Sequence, residues 1–435
     1  GLSLGWLASS TIGGFLVRFK WPWRKTGPPT TPATIATLLL VGLGPALTAA
    51  QAVTIHAGTL LDGRGNLQRD VVIVARDGRI DQVVPRSAIR DPRSFDLSGY
   101  TVLPGLIDTH VHIVSHFGKD GRASNEGETA SERMLYTAEN AYVTLMAGFT
   151  TVQSIGAPAD LELRAAINRG ILPGPRLLTS VQSLNNETAT PQQLREYVRD
   201  MSTRDADVIK FFASKSIREG GTQTISDESI RAGCDAAKAA GKRAWVHAHA
   251  ASAVRAAAQA GCFAVTHGSM VTDAELALMA RSGTFFEPNI GLVSQNYLEN
   301  KPRYLGIGNY DEAGFRFMEE GIPRKLDMFK RALRTPGLMI IMGTDATAGA
   351  HGQNAREIVY RVQVGGQKPN DAIIAATSLN AEALGLKDRI GAIARGMEAD
   401  LIAVDGNPLE DITALQRVVF VMKGGKVYKN VAAAK

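Results

Sequence analysis

Apolar and polar positions change their rhythm along this 435-residue chain. From Val53 to Leu103, short alternating runs (VTIHAGTLLDG, DVVIVARDGRIDQVV, FDLSGYTVLPG) are broken by glycine and Asp-Gly turns, the pattern of half-buried antiparallel strands. The final stretch, 389–435, has the same texture in ADLIAVDGNPL and RVVFVMKGGKVYKN. Between them, residues 104–388 alternate short apolar runs with longer amphipathic stretches such as SDESIRAGCDAAKAAG, as βα units do. Eight candidate strands can be counted: LIDTHVH, FTTVQSIG, RLLTS, VIKFFA, AWVHAH, FAVTHG, FFEPNI and MIIMGTDA. Eight βα repeats in roughly 250 residues is the count of a closed barrel. The predicted fold is therefore α/β: a (β/α)8 TIM barrel over 104–388, with a small β-sandwich built from both termini, 53–103 and 389–435. A doubly wound parallel sheet is the alternative, and the polar residues at the strand ends decide between the two.

Residues 1–52 follow a different pattern. Arg18, Lys20, Arg24 and Lys25 precede an apolar stretch, 33–48, and Ala50-Gln51-Ala52 supplies a small-x-small cleavage site. This predicts an exported protein, periplasmic or secreted, cleaved near Ala52; a leader that is not a true signal would leave it cytoplasmic. Gly42, Gly44 and Pro45 interrupt the apolar stretch, which is short for a spanning helix, so no stable membrane anchor is expected. Subtracting the leader's four positive charges from the net +6 leaves +2, and no long basic run remains. That balance argues against a nucleic-acid partner. Cys234 and Cys262 are too few for a disulfide framework and read as two buried free thiols.

The placement of the eight histidines carries the chemistry. His110 and His112 end the first barrel strand, His247 and His249 the fifth, His267 the sixth, and Asp345 the eighth. Alternation puts residues i and i+2 on one strand face, so His110 and His112 can reach a single ion. A single buried histidine is usually a satisfied core residue. Five of them with an aspartate, all at the C-terminal ends of one βα array, make a zinc-type ligand set. Lys210 lies in the apolar fourth strand, ADVIKFFAS, where a charged amine is costly to bury. It either reaches out to pair with Asp205 or Asp207, or its unprotonated amine has added CO2 to give a carboxylate-like bridge between two cations.

DTHVH on the first strand, DVIK on the fourth, His247 and His267 twenty residues apart, GTDA and then HGQNAREI resemble the amidohydrolase superfamily. Within it the resemblance is to the prolidase-like and imidazolonepropionase-like branch, and it covers residues 53–430. It implies an amide hydrolase with two divalent metal ions, zinc by default although cobalt, manganese and nickel suit the same ligands. His110, His112 and Asp345 would hold the more buried metal, His247 and His267 the other, and Lys210, as N6-carboxylysine, would bridge them. Asp345 would accept a proton from water and pass one to the leaving amine. His249 would face the substrate, polarising its carbonyl or binding a carboxylate. The branch removes a C-terminal amino acid from dipeptides or N-acyl amino acids, which makes Lys215, Arg218 and His351 candidate substrate-binding residues. The segments VHIVSHFGKDGRASNEGETASE and HGQNAREI resemble a bacterial group of ochratoxin-hydrolysing amidohydrolases. A bulky apolar acyl pocket would then draw on Phe117, Phe212, Ile290, Leu292 and Tyr297, unless these pack the core. The resemblance also implies a homo-oligomer. Thr266 departs from the pattern, standing where many relatives carry an acid.

Three other readings remain. A cyclic-amide hydrolase fits the same ligand set. A one-metal deaminase would do without Lys210. A metal-free barrel scaffold predicts missing ligands, and none is missing.

Overall fold

The computed structural model describes residues 52–89 and 94–432; the leader predicted over 1–52 lies, apart from Ala52, outside the described residues. Four strands come first: β1 (Val53–Leu61), β2 (Leu67–Arg76), β3 (Arg79–Pro85) and β4 (Ser94–Pro104). Seven barrel strands follow: β5 (Leu106–Val111), β6 (Phe149–Ser154), β7 (Arg176–Thr179), β8 (Val208–Phe212), β9 (Arg243–Ala248), β10 (Ala264–His267) and β11 (Phe285–Glu287). The last three are β12 (Leu401–Val404), β13 (Val418–Lys423) and β14 (Lys426–Asn430).

The terminal strands form one seven-stranded sheet in the order β14-β13-β12-β4-β1-β2-β3. The β2–β3 hairpin turns on Asp77-Gly78, both with positive φ (50° and 75°), the mirror-image turn that matches strand twist. One face of this sheet encloses Ile55, Ile73, Leu97, Leu401 and Phe420. The other presents Ile402, Val404 and Val421 to the cluster that includes barrel residues Leu145 and Phe149. A sandwich built from both ends of the chain is thus present, as its texture predicted.

In the barrel, β5-β6-β7 and β8-β9-β10-β11 form two parallel arcs. One seam is closed by a bridge between Leu184 and Phe211 and by Asp207 N–H donating to Thr179 O (2.8 Å). The other is closed by residues 340–346, which bridge Phe286 to Ile340 and Val111 to Ala346. This is the predicted eighth strand, but it is not regular. Asp345 has φ of 56°, and side chains take over the ladder. Asn380 Nδ2 donates to the carbonyls of Ile107 (2.7 Å) and Met342 (2.6 Å), while its Oδ1 accepts from Met342 N–H (3.0 Å). The buried Asp108 carboxylate accepts from Thr344 N–H (3.0 Å) and Thr344 Oγ1 (2.6 Å). Single-sequence periodicity cannot register such side-chain substitution.

Helices between the strands begin at reciprocal caps: Thr129 with Glu132, Thr190 with Gln193, Thr272 with Glu275. Strand alternation then sorts the layers. On β9, Ala244, Val246 and Ala248 pack outward against the helices, while Trp245 packs with Val208, Ala264, Phe285 and Ile341. The two cysteines are not free, contrary to the sequence reading. Cys234, on the helix Asp227–Ala239, and Cys262, just before β10, form a disulfide with Cα atoms 5.1 Å apart. Two neighbouring βα units bring them together, which their 28-residue separation does not reveal. Among the described residues no helix is long and apolar enough to cross a membrane.

Candidate active site

The residues that alternate into the barrel reach its mouth at the strand C-termini, where this architecture places chemistry. There the structure brings the predicted histidines into two groups. His110, His112 and Asp345 form one, and His247, His249 and His267 the other; within each, the ligand atoms lie within 4.8 Å of one another. Asp345 Oδ1 is 3.1 Å from His112 Nε2 and 3.4 Å from His110 Nε2. The second trio packs ring to ring at centroid distances of 4.6–4.8 Å, and His267 lies 5.8 Å from His110. His267 (φ 72°) and Asp345 (φ 56°) both hold left-handed backbone, a conformation that costs a non-glycine residue about 1–3 kcal/mol and collects at functional sites.

Lys210 is 1% exposed, and its Nζ donates only to Thr266 Oγ1 (3.3 Å) among the described residues. It does not pair with Asp205 or Asp207, which are bound by Arg164. Burial pulls the amine down to about 8, although Glu287 and Asp345 oppose the shift. Its charge acts on His110 and also on His247 and His267, so the amine faces both groups. Thr266 is thus the amine's hydrogen-bond partner at the position where the resemblance called for an acid.

Glu287, at the end of β11, went unnoticed in the sequence. Fully buried, it accepts from Thr109 Oγ1 (2.6 Å) and Trp245 Nε1 (3.0 Å) on one oxygen, and from His110 Nδ1 (2.5 Å) and Asn289 Nδ2 (3.2 Å) on the other. Burial would raise its carboxyl, but His110 and Lys210 hold it below the ordinary value. Glu287 therefore takes the Nδ1–H of a neutral His110 and leaves the Nε2 lone pair facing Asp345. A Cβ on Gly343 would sit 2.5 Å from the Glu287 carboxyl carbon, so only glycine lets the eighth segment pass. An acid inside the apolar FFEPNI run was the available signal, the same one that singled out Lys210.

A cavity of about 630 Å³ opens above these groups. Lys215 lines it, half-exposed and 3.5 Å from Glu187. Arg218 lines it with its guanidinium over Tyr310 (4.0 Å) and Tyr297 (5.3 Å). Lys325, which the sequence reading passed over on an amphipathic helix, is buried in the same wall and donates to Ser294 Oγ (3.0 Å) and Asn289 O (3.3 Å). His351 does not line the cavity; its Nε2 lies 3.1 Å from the Ser115 carbonyl. Of the proposed apolar pocket, Phe212 and Tyr297 line the cavity, whereas Ile290 and Leu292 belong to the core and Phe117 stacks beneath Arg303.

The residues suit divalent cations. Burial keeps His247 and His267 well below the usual histidine range, so their lone pairs are free. Burial alone would raise Asp345, but His110, His112 and Lys210 keep it ionised. Three histidines in one group and two histidines with a carboxylate in the other, both at the mouth of a barrel, define a metal-dependent hydrolase. The amidohydrolase family model matches residues 101–428, and the chain belongs to that family. A solved Xaa-Pro dipeptidase with methionine bound in its active site is 30% identical with a TM-score of 0.80, covering 87% of this chain and all of that one. Ochratoxinase of Aspergillus niger is 26% identical over 87% of each chain. Imidazolonepropionase of Deinococcus radiodurans is 25% identical over 79% of this chain and 87% of its own. The ochratoxin-hydrolysing relative is thus fungal, where the sequence segments had pointed to a bacterial group.

Proposed function

We propose that this chain is a binuclear metal-dependent amidase that releases a C-terminal amino acid from N-acyl amino acids or dipeptides, with ochratoxin A, cut to ochratoxin α and phenylalanine, as a candidate substrate. The observation that carries this reading is the pair of ligand groups facing one buried lysine beneath an open cavity. His110, His112 and Asp345 would hold one ion, and His247 and His267 the other. Lys210 would join them as N6-carboxylysine: the neutral amine forms an N–C bond to CO2 and releases one proton to water. Bound zinc or a similar ion lowers the pKa of water and polarises the scissile carbonyl.

The chain's own groups supply the rest. Asp345 accepts the proton of the attacking water and returns one to the departing amine nitrogen. His249 sits with Nδ1 3.0 Å from Ser269 Oγ, and burial, then Lys325 and Arg218, push it down to about 3. It is therefore neutral, and with the Ser269 hydroxyl donating to Nδ1, its Nε2–H can donate to the carbonyl oxygen as charge develops there. The likeness to a dipeptidase and an ochratoxinase supports the substrate class. The leader predicted before Ala52 and the Cys234–Cys262 disulfide together support export to an oxidising compartment.

The test is a hydrolysis screen of zinc-loaded protein on N-acyl-phenylalanines, ochratoxin A and Xaa-Pro dipeptides, with bound metal measured in parallel. Two metals per chain and release of a free amino acid are expected. Two metals with turnover only of a cyclic amide would transfer the substrate to the imidazolonepropionase-like reading. A protein that binds no metal would refute the proposal.

A further inference from the structure

The segment HGQNAREI carries a buried carboxylate to which the hydrolysis gives no part. Glu357, on the helix Ala355–Gln363, is fully buried, and four donors converge on it. Its Oε1 accepts from Ile290 N–H (2.9 Å) and Arg361 Nε (3.1 Å), and its Oε2 from Gly291 N–H (2.8 Å) and Leu292 N–H (2.9 Å). The three backbone donors are consecutive and open the helix Leu292–Glu299, where Gly291 offers no side-chain cap. Glu357 supplies that cap from another helix, and its charge suits the positive end of the helix dipole. The turn fixed in this way is also the seat of Lys325. We infer that Lys325 is a further catalytic residue, its third N–H donating to the amide oxygen as that oxygen gains charge, and that Glu357 is the positioning residue that keeps it there. The inference deepens the amidase reading of this cavity and rests on it.

Lys325 comes from a third helix, Glu312–Ala332, and is 7% exposed in the cavity wall. An ammonium has three N–H donors and no acceptor. One goes to Asn289 O (3.3 Å) and one to Ser294 Oγ (3.0 Å), on either side of the turn that Glu357 grips. Among the described residues the third has no protein acceptor. Asn289 is itself fixed: its backbone is left-handed (φ 46°), and its Nδ2 donates to Gly343 O (2.8 Å) and Glu287 Oε1 (3.2 Å). The segment that seats the ammonium is thus tied at one end to the carboxylate behind His110 and at the other to Glu357. Burial lowers the Lys325 amine, but the charges of Glu357 and Asp345 oppose the shift and favour the cation. After burial itself, Lys325 is the largest influence on His249, ahead of Arg218, so its field reaches an amide oxygen placed beside that imidazole. A charged donor fixed in a buried wall gains little from a neutral carbonyl and much from the oxyanion that replaces it. Lys325 keeps its proton throughout, and the proton transfers stay with Asp345.

The experiment compares metal-loaded wild type, Lys325→Met, Glu357→Gln and the double variant on N-benzoyl-L-phenylalanine, each checked for two bound metals. Lys325→Met should lower kcat and kcat/KM together by roughly 10- to 100-fold, the scale of a hydrogen bond to a charged group, with KM near the wild-type value. Glu357→Gln should lower kcat in the same sense, yet cost little more once Lys325 is already methionine. A carboxylate that only supports the fold would take its loss in both backgrounds. Ser294→Ala removes one acceptor of Lys325 without touching Glu357; it should also lower kcat, and it keeps the test open should Glu357→Gln fail to fold. Calorimetry with N-(methylphosphonyl)-L-phenylalanine, whose tetrahedral oxygens carry charge, should show weaker binding to Lys325→Met by the same factor, while L-phenylalanine binds wild type and variant alike. A wild-type kcat in Lys325→Met or Ser294→Ala, a loss confined to KM, or additive losses in the double variant overturns the inference and leaves the amidase intact. If the wild type cleaves no amide, the amidase reading has failed. Binding of the phosphonyl compound then still decides the role of Lys325, and equal or absent binding overturns it.

Discussion

Replacing Glu287 by glutamine changes one oxygen to nitrogen in a space too tight for any larger change, and the structure says what that must cost. Four donors converge on this carboxylate, two on each oxygen. If the new amide nitrogen faces Thr109 and Trp245, the threonine hydroxyl can rotate and keep its bond to Met342 O (3.0 Å), but the indole N–H is a donor only and is stranded. A stranded buried donor costs about 1–3 kcal/mol, a large part of a typical 5–15 kcal/mol stability. If the nitrogen faces His110 instead, the imidazole must move its proton to Nε2, which removes the lone pair from the metal group. In either orientation His110 loses its anionic partner, a change that weakens metal binding by about 10- to 100-fold. Denaturant unfolding of chelator-treated protein measures the first quantity, and competition with a chromophoric chelator the second. The sign with pH is also fixed. A carboxyl held below its ordinary 4.5 stabilises the fold above that value, and the contribution is lost as pH falls through the lower folded value. The gap between wild type and Glu287→Gln should therefore narrow in acid. An unchanged unfolding midpoint together with unchanged metal affinity at neutral pH would refute the argument.

Other outcomes follow from the same geometry. Lys210→Ala should lose the second metal and its activity, and retention of both would end the bridged-metal reading. Because the amine must be neutral to take up CO2, reconstitution of metal-free protein at fixed dissolved CO2 should quicken about tenfold per pH unit below about 8 and level off above it; a flat profile would contradict this. His249→Ala should keep two metals but lower kcat by roughly 10²- to 10³-fold, as removal of an oxyanion donor does; loss of metal would instead make His249 a ligand. Reducing the Cys234–Cys262 bridge, which closes a 28-residue loop, should cost about 3.5 kcal/mol by loop entropy. Thiol titration of the folded, unreduced protein should find no free thiols.

What the sequence determined by itself was whatever repeats at fixed spacing. The alternation of β1 to β4 and β12 to β14, the βα rhythm between them, and polar residues at strand ends all follow from periods of two and 3.6 residues. So did the metal candidates, because a His-x-His at a strand terminus and a lysine inside VIKFFA stand out against an apolar background. Tertiary structure decided whatever depends on side chains meeting across the barrel. Asn380 and Asp108 replace ladder bonds in the irregular eighth segment from 38 and 236 residues away along the chain. Glu287 reaches His110 over 177 residues, and the cysteines pair through neighbouring βα units. Arg218 and Lys215 look alike in SKSIREGG, yet one rests on a tyrosine platform with an open edge and the other turns toward Glu187. The platform under Arg218 lies in residues 297–310, roughly 80 positions downstream, which only the folded chain brings beside it. Local pattern reports the face on which a residue lies, and its partners there are set by the closure of the barrel.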